Sequence, residues 1–457
     1  MSKFTKFFGT KEFYMATIAI ALPIMAQSFV TSFVNLIDNI MIGSVSAIAL
    51  TSVTVANKYY MIFTSALFGV TGGASIFISQ FFGAKQENKC QKSFNILLSL
   101  CLIIGLIFMM SVVVFPTKII SIFTTTPEIM ESSLLYIKYI AFSYVPYAIS
   151  MAIIAALRAV GINKIQLKIG IITVFTNTIL NFILIYGHFG LPALGVEGAA
   201  IATLTARLLE CVIYLTIIIK KYSLFKLDIK GLFAYDFDLF KKLMTKTIPL
   251  TINEIMFGVG QATVFTAYMS VNEYLVSAIS VVDTVVNIAF IIFAGLSSAI
   301  AILIGKTLGA GKIEEAKSNA VKLIVFGVIV GIVISSILAI CAVFVPNLYD
   351  FDAEINQTII RLLRIKAILL PIYVVNVCCF FTLRAGGETL NTMIMDSGCL
   401  WGFTVLTAIL LSNFTTLPLI TVYACVEAME ILRMLVALYF FKKGKWANNL
   451  TESHSNV

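Results

Sequence analysis

Residues 16–43 read ATIAIALPIMAQSFVTSFVNLIDNIMIG, an apolar run whose only formal charge is Asp38. At about 1.5 Å per residue, a helix of this length exceeds the ~30 Å hydrocarbon core of a bilayer. An ionisable group inside such a span is expensive, so it is read first as a functional group. The same run carries Pro23, which removes a backbone hydrogen bond and can kink the helix. Pro249 stands at the equivalent place of a second stretch, 249 − 23 = 226 residues later. These features predict a two-lobed transporter with an ion site in at least its first lobe.

The rest of the chain agrees. Of its 457 residues, 60% are hydrophobic and 12% charged, with mean hydropathy +0.99; soluble domains carry about 25% charged residues. Twelve spans are expected, near 15–41, 52–77, 94–115, 132–156, 168–187, 196–219, 248–270, 276–303, 320–345, 362–382, 391–411 and 419–441. No apolar stretch followed by a small-residue cleavage site precedes the first span, so no removable signal is expected. The eight cysteines show neither metal nor redox spacing and read as small buried hydrophobes. The net charge of +9 reflects basic loops rather than nucleic-acid binding. With Lys3, Lys6 and Lys11 inside, the even-numbered loops hold Lys85, Lys89, Lys92, Arg158, Lys164, the lysines of 220–246, Lys306, Lys312, Lys317, Arg384 and Lys442–Lys445. The opposite loops hold Lys118 against acids such as Glu128, Asp350, Asp352 and Glu354. That asymmetry is expected to place both termini in the cytoplasm; the expected location is the plasma membrane.

At the constant offset of 226, Gly69 meets Gly295, Gly83-Ala84 meets Gly309-Ala310, and Leu157-Arg158-Ala159 meets Leu383-Arg384-Ala385. Leu191-Pro192 meets Leu417-Pro418, and Arg207 meets Arg433. Each half therefore holds six spans. Six is even, so both halves start on the same side and the repeat is parallel. The expected fold is an all-α membrane protein: twelve transmembrane helices in two six-helix bundles around a central cavity. Its domains are an N-lobe (1–219), a cytoplasmic amphipathic linker (220–247), a C-lobe (248–445) and a cytoplasmic tail (446–457).

Several motifs resemble those of the multidrug and toxic compound extrusion (MATE) family, over essentially the whole chain. They are Pro23 with Leu36-Ile37-Asp38-Asn39-Ile40-Met41-Ile42-Gly43; Ser79-Gln80-Phe81-Phe82-Gly83-Ala84; Asn177-Thr178-Ile179-Leu180-Asn181; Leu194 to Thr203; Leu383 to Thr389; and Gly444-Lys445-Trp446. The resemblance implies export of organic, often cationic, compounds driven by inward flow of Na⁺ or H⁺. It also assigns Asp38, Asn177, Asn181, Ala199 and Thr203 to a coupling-ion site.

The residues support such a site independently of the name. Asn177 and Asn181 are four apart on one face of span five, and Ala199 and Thr203 are four apart on span six. A carboxylate, two amides and a hydroxyl form an oxygen set suited to Na⁺. Asp38 could instead carry a proton, with the same neighbours as hydrogen-bond partners. A third reading is that these polar groups only bond helix to helix.

The second half does not repeat this set: Asp38, Asn177 and Asn181 correspond to Val264, Phe403 and Thr407. Glu254, Asp283, Tyr373 and Asn376 are candidates for the substrate cavity, and Asp396 is expected to hydrogen-bond the loop that carries Arg384. Arg158 and Glu388 join Arg384 as structural or gating candidates, with Pro23 and Pro249 as kink points. Arg207 with Glu210 and Glu430 with Arg433 are i,i+3 pairs expected to stabilise their bundles. Lys58, Lys138, Arg361, Arg364 and Lys366 are expected to snorkel to an interface.

The leading function is a secondary antiporter taking small-molecule substrates, monomeric, with no cofactor. A flippase for a lipid-linked or amphipathic anionic substrate is the alternative. An intramembrane enzyme lacks a nucleophile or metal motif, since His188 and His454 stand outside the spans and neither HExxH nor GxSxG occurs.

Overall fold

In lipid every backbone N–H and C=O must find its partner within the chain, so long apolar segments become helices. A computed structural model describes residues 7–124, 126–221, 224–227, 231–232, 236–272, 275–348 and 352–451. Lys3, Lys6, Asp350, His454 and the end of the tail (452–457) lie outside them.

The helices, in order, are α1 (Lys11–Gly43), α2 (Ala47–Gly83), α3 (Glu87–Val114), α4 (Pro116–Ser121), α5 (Pro127–Ile140), α6 (Tyr144–Ala159), α7 (Lys164–Tyr186) and α8 (Gly195–Lys221). Then come α9 (Phe237–Val271), α10 (Val276–Gly309), α11 (Ile313–Cys341), α12 (Ala353–Ala385), α13 (Thr389–Met393), α14 (Leu406–Phe414) and α15 (Leu419–Lys443). Among the described residues there is no strand. Among the described residues ten stretches are long and apolar enough to cross a membrane. The helices α9, with Asn253, Glu254 and Gln261, and α15, with Glu427, Glu430 and Arg433, are more polar and complete the twelve.

Three local departures from the sequence expectation have physical causes. Span four is not one helix: α5 and α6 join through a 3-10 turn, Ala141–Ser143, because Pro146 in the first turn of α6 cannot donate to the turn before it. Span eleven is α13, then π-helical segments Ile394–Gly398 and Leu400–Val405, then α14. Residues 237–247, expected in the linker, form the first turns of α9, which continues through Pro249. The linker that remains is pinned to α3. Gln91 exchanges two hydrogen bonds with the Lys226 backbone at 2.8 and 2.6 Å, Lys92 pairs with Asp236 at 3.0 Å, and Phe225 is buried against Phe94. The helices α7 and α15 end at Gly187 and Gly444, both in the left-handed region (φ 75° and 71°) that glycine adopts without strain. All eight cysteines are free thiols; Cys341, contrary to expectation, is exposed.

The chain packs as two compact units: residues 1–25, 83–85 and 252–457, and residues 26–82 and 86–251. The boundaries in α1 and α9 fall at Met25/Ala26 and Thr251/Ile252, two residues past Pro23 and Pro249, and are themselves 226 residues apart (251 − 25). Each proline-bearing helix thus gives its first half to one unit and its second half to the other.

Within each unit a repeat-related glycine admits that helix half. A methyl group on Gly69 of α2 would come within 2.8 Å of Thr251 Cβ on α9. One on Gly295 of α10 would stand 2.8 Å from the carbonyl oxygen of Ala21 on α1. Absent side chains allow such backbone approach, the main source of packing energy between helices in lipid. The unit containing residues 252–457 buries Tyr268, Leu363, Leu400 and Tyr423 in one cluster and Phe293, Leu370, Leu383 and Trp446 in another. In the other unit Phe63 stacks on Tyr144 at 4.8 Å.

Candidate functional site

Three helix faces of the unit formed by residues 26–82 and 86–251 converge. On α1 the face is Gln27, Thr31, Val34 and Asp38; on α7 it is Gly170, Thr173, Asn177 and Asn181; on α8 it is Ala199, Thr203, Arg207 and Glu210. Spacings of three and four residues keep each set on one side of its helix. With Tyr136 and Tyr147 from α5 and α6, they enclose a cavity of about 470 Å³.

At one end of this cavity the sequence-predicted residues meet. The Asn181 amide donates to Asp38 Oδ1 at 2.8 Å and to Asn177 Oδ1 at 3.4 Å. The Asn177 amide donates to Thr203 Oγ1 at 3.4 Å. Ala199 is fully buried one turn before Thr203, and its small side chain lets α8 approach. Asn181 is only 1% exposed, yet its Oδ1 has no hydrogen-bond partner. A buried acceptor left unpaired costs about 1–3 kcal/mol. An oxygen in that state beside a carboxylate, a second amide and a hydroxyl is what a hard cation would satisfy. Among the described residues no group of three or more His, Cys, Asp or Glu could hold a metal ion. Oxygen donors of this kind are the chemistry of hard cations rather than of transition metals.

The aromatic lining was not anticipated. Tyr136, Ile140, Ser143 and Tyr147 repeat at four, three and four residues along span four, and Gln27 and Thr31 share the Asp38 face. Both periodicities stand in the sequence. The guanidinium of Arg207 lies over the Tyr147 ring at 4.5 Å and pairs with Glu210 at 2.9 Å.

The unit containing residues 252–457 encloses a second cavity, of about 380 Å³. Asp283 and Tyr373 line it, as do Glu430 and Arg433. Glu254 and Asn376 are not among its lining residues: Glu254 pairs with Arg384 at 3.4 Å, and the Asn376 amide donates to Glu430 Oε2 at 2.6 Å. Asp396 is held by Arg433 of α15 and by Asn253 of α9 (2.8 Å), two helices rather than the Arg384 loop. It sits in the first π-helical segment, whose widened turn alters the direction of its side chain. Lys366 does not snorkel; it lines the cavity and pairs with Glu427 at 2.7 Å. Glu430 also pairs with Arg433 at 3.1 Å. Of the remaining candidates, Arg158 donates to Gln166 at 3.3 Å and Glu388 accepts from Asn391 at 2.6 Å.

Comparison with known proteins gives a consistent picture. The family model described as MatE matches residues 23–183 and 249–410, one copy in each half of the repeat. A probable multidrug resistance protein NorM of Thermotoga maritima is 25% identical over 454 residues, covering 96% of this chain and 94% of the relative. A probable multidrug resistance protein YoeA of Bacillus subtilis is 22% identical, covering 92% of each. A solved outward-facing multidrug resistance MATE family transporter of the MOP superfamily superposes with TM-score 0.85 at 16% identity, over 94% of this chain and 95% of that one.

Proposed function

Since the chain belongs to the MatE family, whose members are membrane transporters and not enzymes, we propose that it is a secondary antiporter exporting organic, often cationic, small molecules in exchange for Na⁺ or H⁺. The observation that carries the reading is the half-buried Asp38 bonded to buried Asn181, whose own oxygen is unpaired beside it. A carboxylate in hydrocarbon needs a compensating charge. A cation held by Asp38, Asn177, Asn181 and Thr203 would supply it, and so would a proton on Asp38 itself.

Coupling requires that filling this site change the helix that carries it. Asp38 lies fifteen residues past Pro23 on α1, and the unit boundary follows that proline by two residues. A helix without one hydrogen bond at such a point is a natural hinge. Pro249 offers the same hinge on α9, so alternating access by bending of the two crossing helices is the proposed motion. The basic loops support an orientation with both termini in the cytoplasm. One chain carries both halves of the repeat, so a monomer suffices.

The test is efflux of a fluorescent cation from proteoliposomes under imposed Na⁺ or pH gradients, comparing the native protein with Asp38→Asn. Export should follow one gradient in the native protein and be uncoupled from it in the variant. Full gradient-driven export by Asp38→Asn would remove Asp38 from the mechanism.

A further inference from the structure

The C-terminal end of α1 is tied to α7 at a second place besides the Asp38–Asn181 bond. The Ser44 and Tyr186 hydroxyls lie 2.6 Å apart, and the Ser44 hydroxyl donates to the Met41 carbonyl at 2.7 Å. The Tyr186 hydroxyl stands 3.3 Å from that same carbonyl. Each hydroxyl has one proton, so the two short contacts hold together when Tyr186 donates to Ser44 and Ser44 to Met41. A helix leaves its last carbonyls without partners of its own. Here the N–H groups of Ser44 and Val45 go to Ile40 and Ile42, which leaves the Met41 carbonyl to the hydroxyls. Tyr186 itself is firmly held. It is the last residue of α7, before Gly187 in the left-handed region, and its ring meets Phe182 edge-on at 5.8 Å. One turn or less away, a methyl group on Gly198 of α8 would come within 2.5 Å of the Leu184 carbonyl oxygen, so α8 braces this end of α7 by backbone approach.

In both helices the hydroxyl tie follows the ion-site contact. Met41 is three residues past Asp38, about 4.5 Å along α1, and Tyr186 five past Asn181, about 7.5 Å along α7. One tie alone lets a helix pivot about it; two fix its rotation and its height. We infer that Tyr186 is a positioning residue for cation coupling: through Ser44 and the Met41 carbonyl it holds the end of α1 on α7, and so keeps the Asp38 carboxylate on Asn181. The inference rests on the coupling reading above and adds a residue that touches no ion. Ser44 is exposed and Tyr186 is 38% exposed, so water stands ready to replace the relay when it opens. The relay lies beyond the Pro23 hinge on the same helix. Bending α1 away from α7 therefore breaks two ties in succession, the hydroxyl relay and the Asp38–Asn181 bond.

Tyr186→Phe keeps the ring and removes the hydroxyl. Tyr59→Phe is its match, because the Tyr59 hydroxyl lies 2.6 Å from Ser111 Oγ and joins α2 to α3 in the same unit. The full-length protein is reconstituted in proteoliposomes, the driving cation is identified with imposed Na⁺ and pH gradients, and efflux of a fluorescent cation is followed against the concentration of that driving cation. Tyr186→Phe should shift the half-saturating concentration by about threefold or more, the scale of one net hydrogen bond, with the maximal rate within about twofold of native. Tyr59→Phe should leave the half-saturating concentration within about twofold, which separates positioning from a general loss of packing. Ser44→Ala removes the bridging hydroxyl and should act as Tyr186→Phe does; it supplies the reading if Tyr186→Phe fails to fold. A value within about twofold of native in whichever of these two variants folds, or an equal shift in Tyr59→Phe, would overturn the inference and leave the coupling reading standing. Native efflux indifferent to both Na⁺ and pH gradients would overturn both.

Discussion

Asn181→Ala tests the proposed ion site most directly. The side chain it removes is buried, donates to Asp38 at 2.8 Å, and carries an amide oxygen with no partner. Burial without a partner costs about 1–3 kcal/mol, a cost relieved when a cation coordinates that oxygen. Losing the oxygen should therefore subtract about 1–3 kcal/mol from cation affinity, or roughly 5- to 150-fold. The lost amide donor does not offset this, because an ionised carboxylate accepts several hydrogen bonds and can hold a donor and a cation together. The assay is the Na⁺ concentration giving half-maximal dye efflux from proteoliposomes, measured for the native protein and for Asn181→Ala. A rise of fivefold or more is expected. If the variant transports and its half-saturating Na⁺ concentration stays within about twofold of the native value, the unpaired oxygen is not a ligand and the reasoning fails.

Two further predictions concern stability, read by thermal unfolding in detergent. Valine at Gly69 or at Gly295 would press a side chain into the helix backbone opposite, so each should destabilise by about 1–3 kcal/mol, and by similar amounts since the sites are repeat-related; an unchanged melting temperature for either would contradict the packing described. Arg433→Met strands the carboxylates of buried Asp396 and half-buried Glu430 and should cost about 3–5 kcal/mol, partly recovered by adding Asp396→Asn. Arg207→Met, which leaves one carboxylate beside an open cavity, should cost clearly less, and the reverse order would refute the contrast between the two arginines.

The grouping of Asp38, Asn177, Asn181 and Thr203 was legible because its members obey helical spacing. Asn177 with Asn181, and Ala199 with Thr203, are four apart, and Asp38 is the one charge in its span. Helices in lipid cannot choose another secondary structure, so a face read from the sequence is a face in the fold. The second cavity was less legible. Its pairs join α12 with α15 (Lys366–Glu427) and π-helical residues with α15 (Asp396–Arg433), across 61 and 37 positions (427 − 366; 433 − 396). A π-helical turn also departs from the 3.6-residue count by which a face of span eleven would be read.

The sequence alone determined the number of spans, the duplication and the polar residues grouped around Asp38, because hydrocarbon forces every apolar run into a helix and punishes each charge left in it. Only the tertiary structure decided which charges answer one another. It gave Arg433 two carboxylates and Arg207 one, and drew the division between compact units through α1 and α9 just past their prolines rather than between the repeats. The physical reason is that partner choice depends on how neighbouring helices pack. Close approaches between helices, such as those at Gly69 and Gly295, belong to that packing, and the partner across such a contact is not encoded by spacing along a single helix.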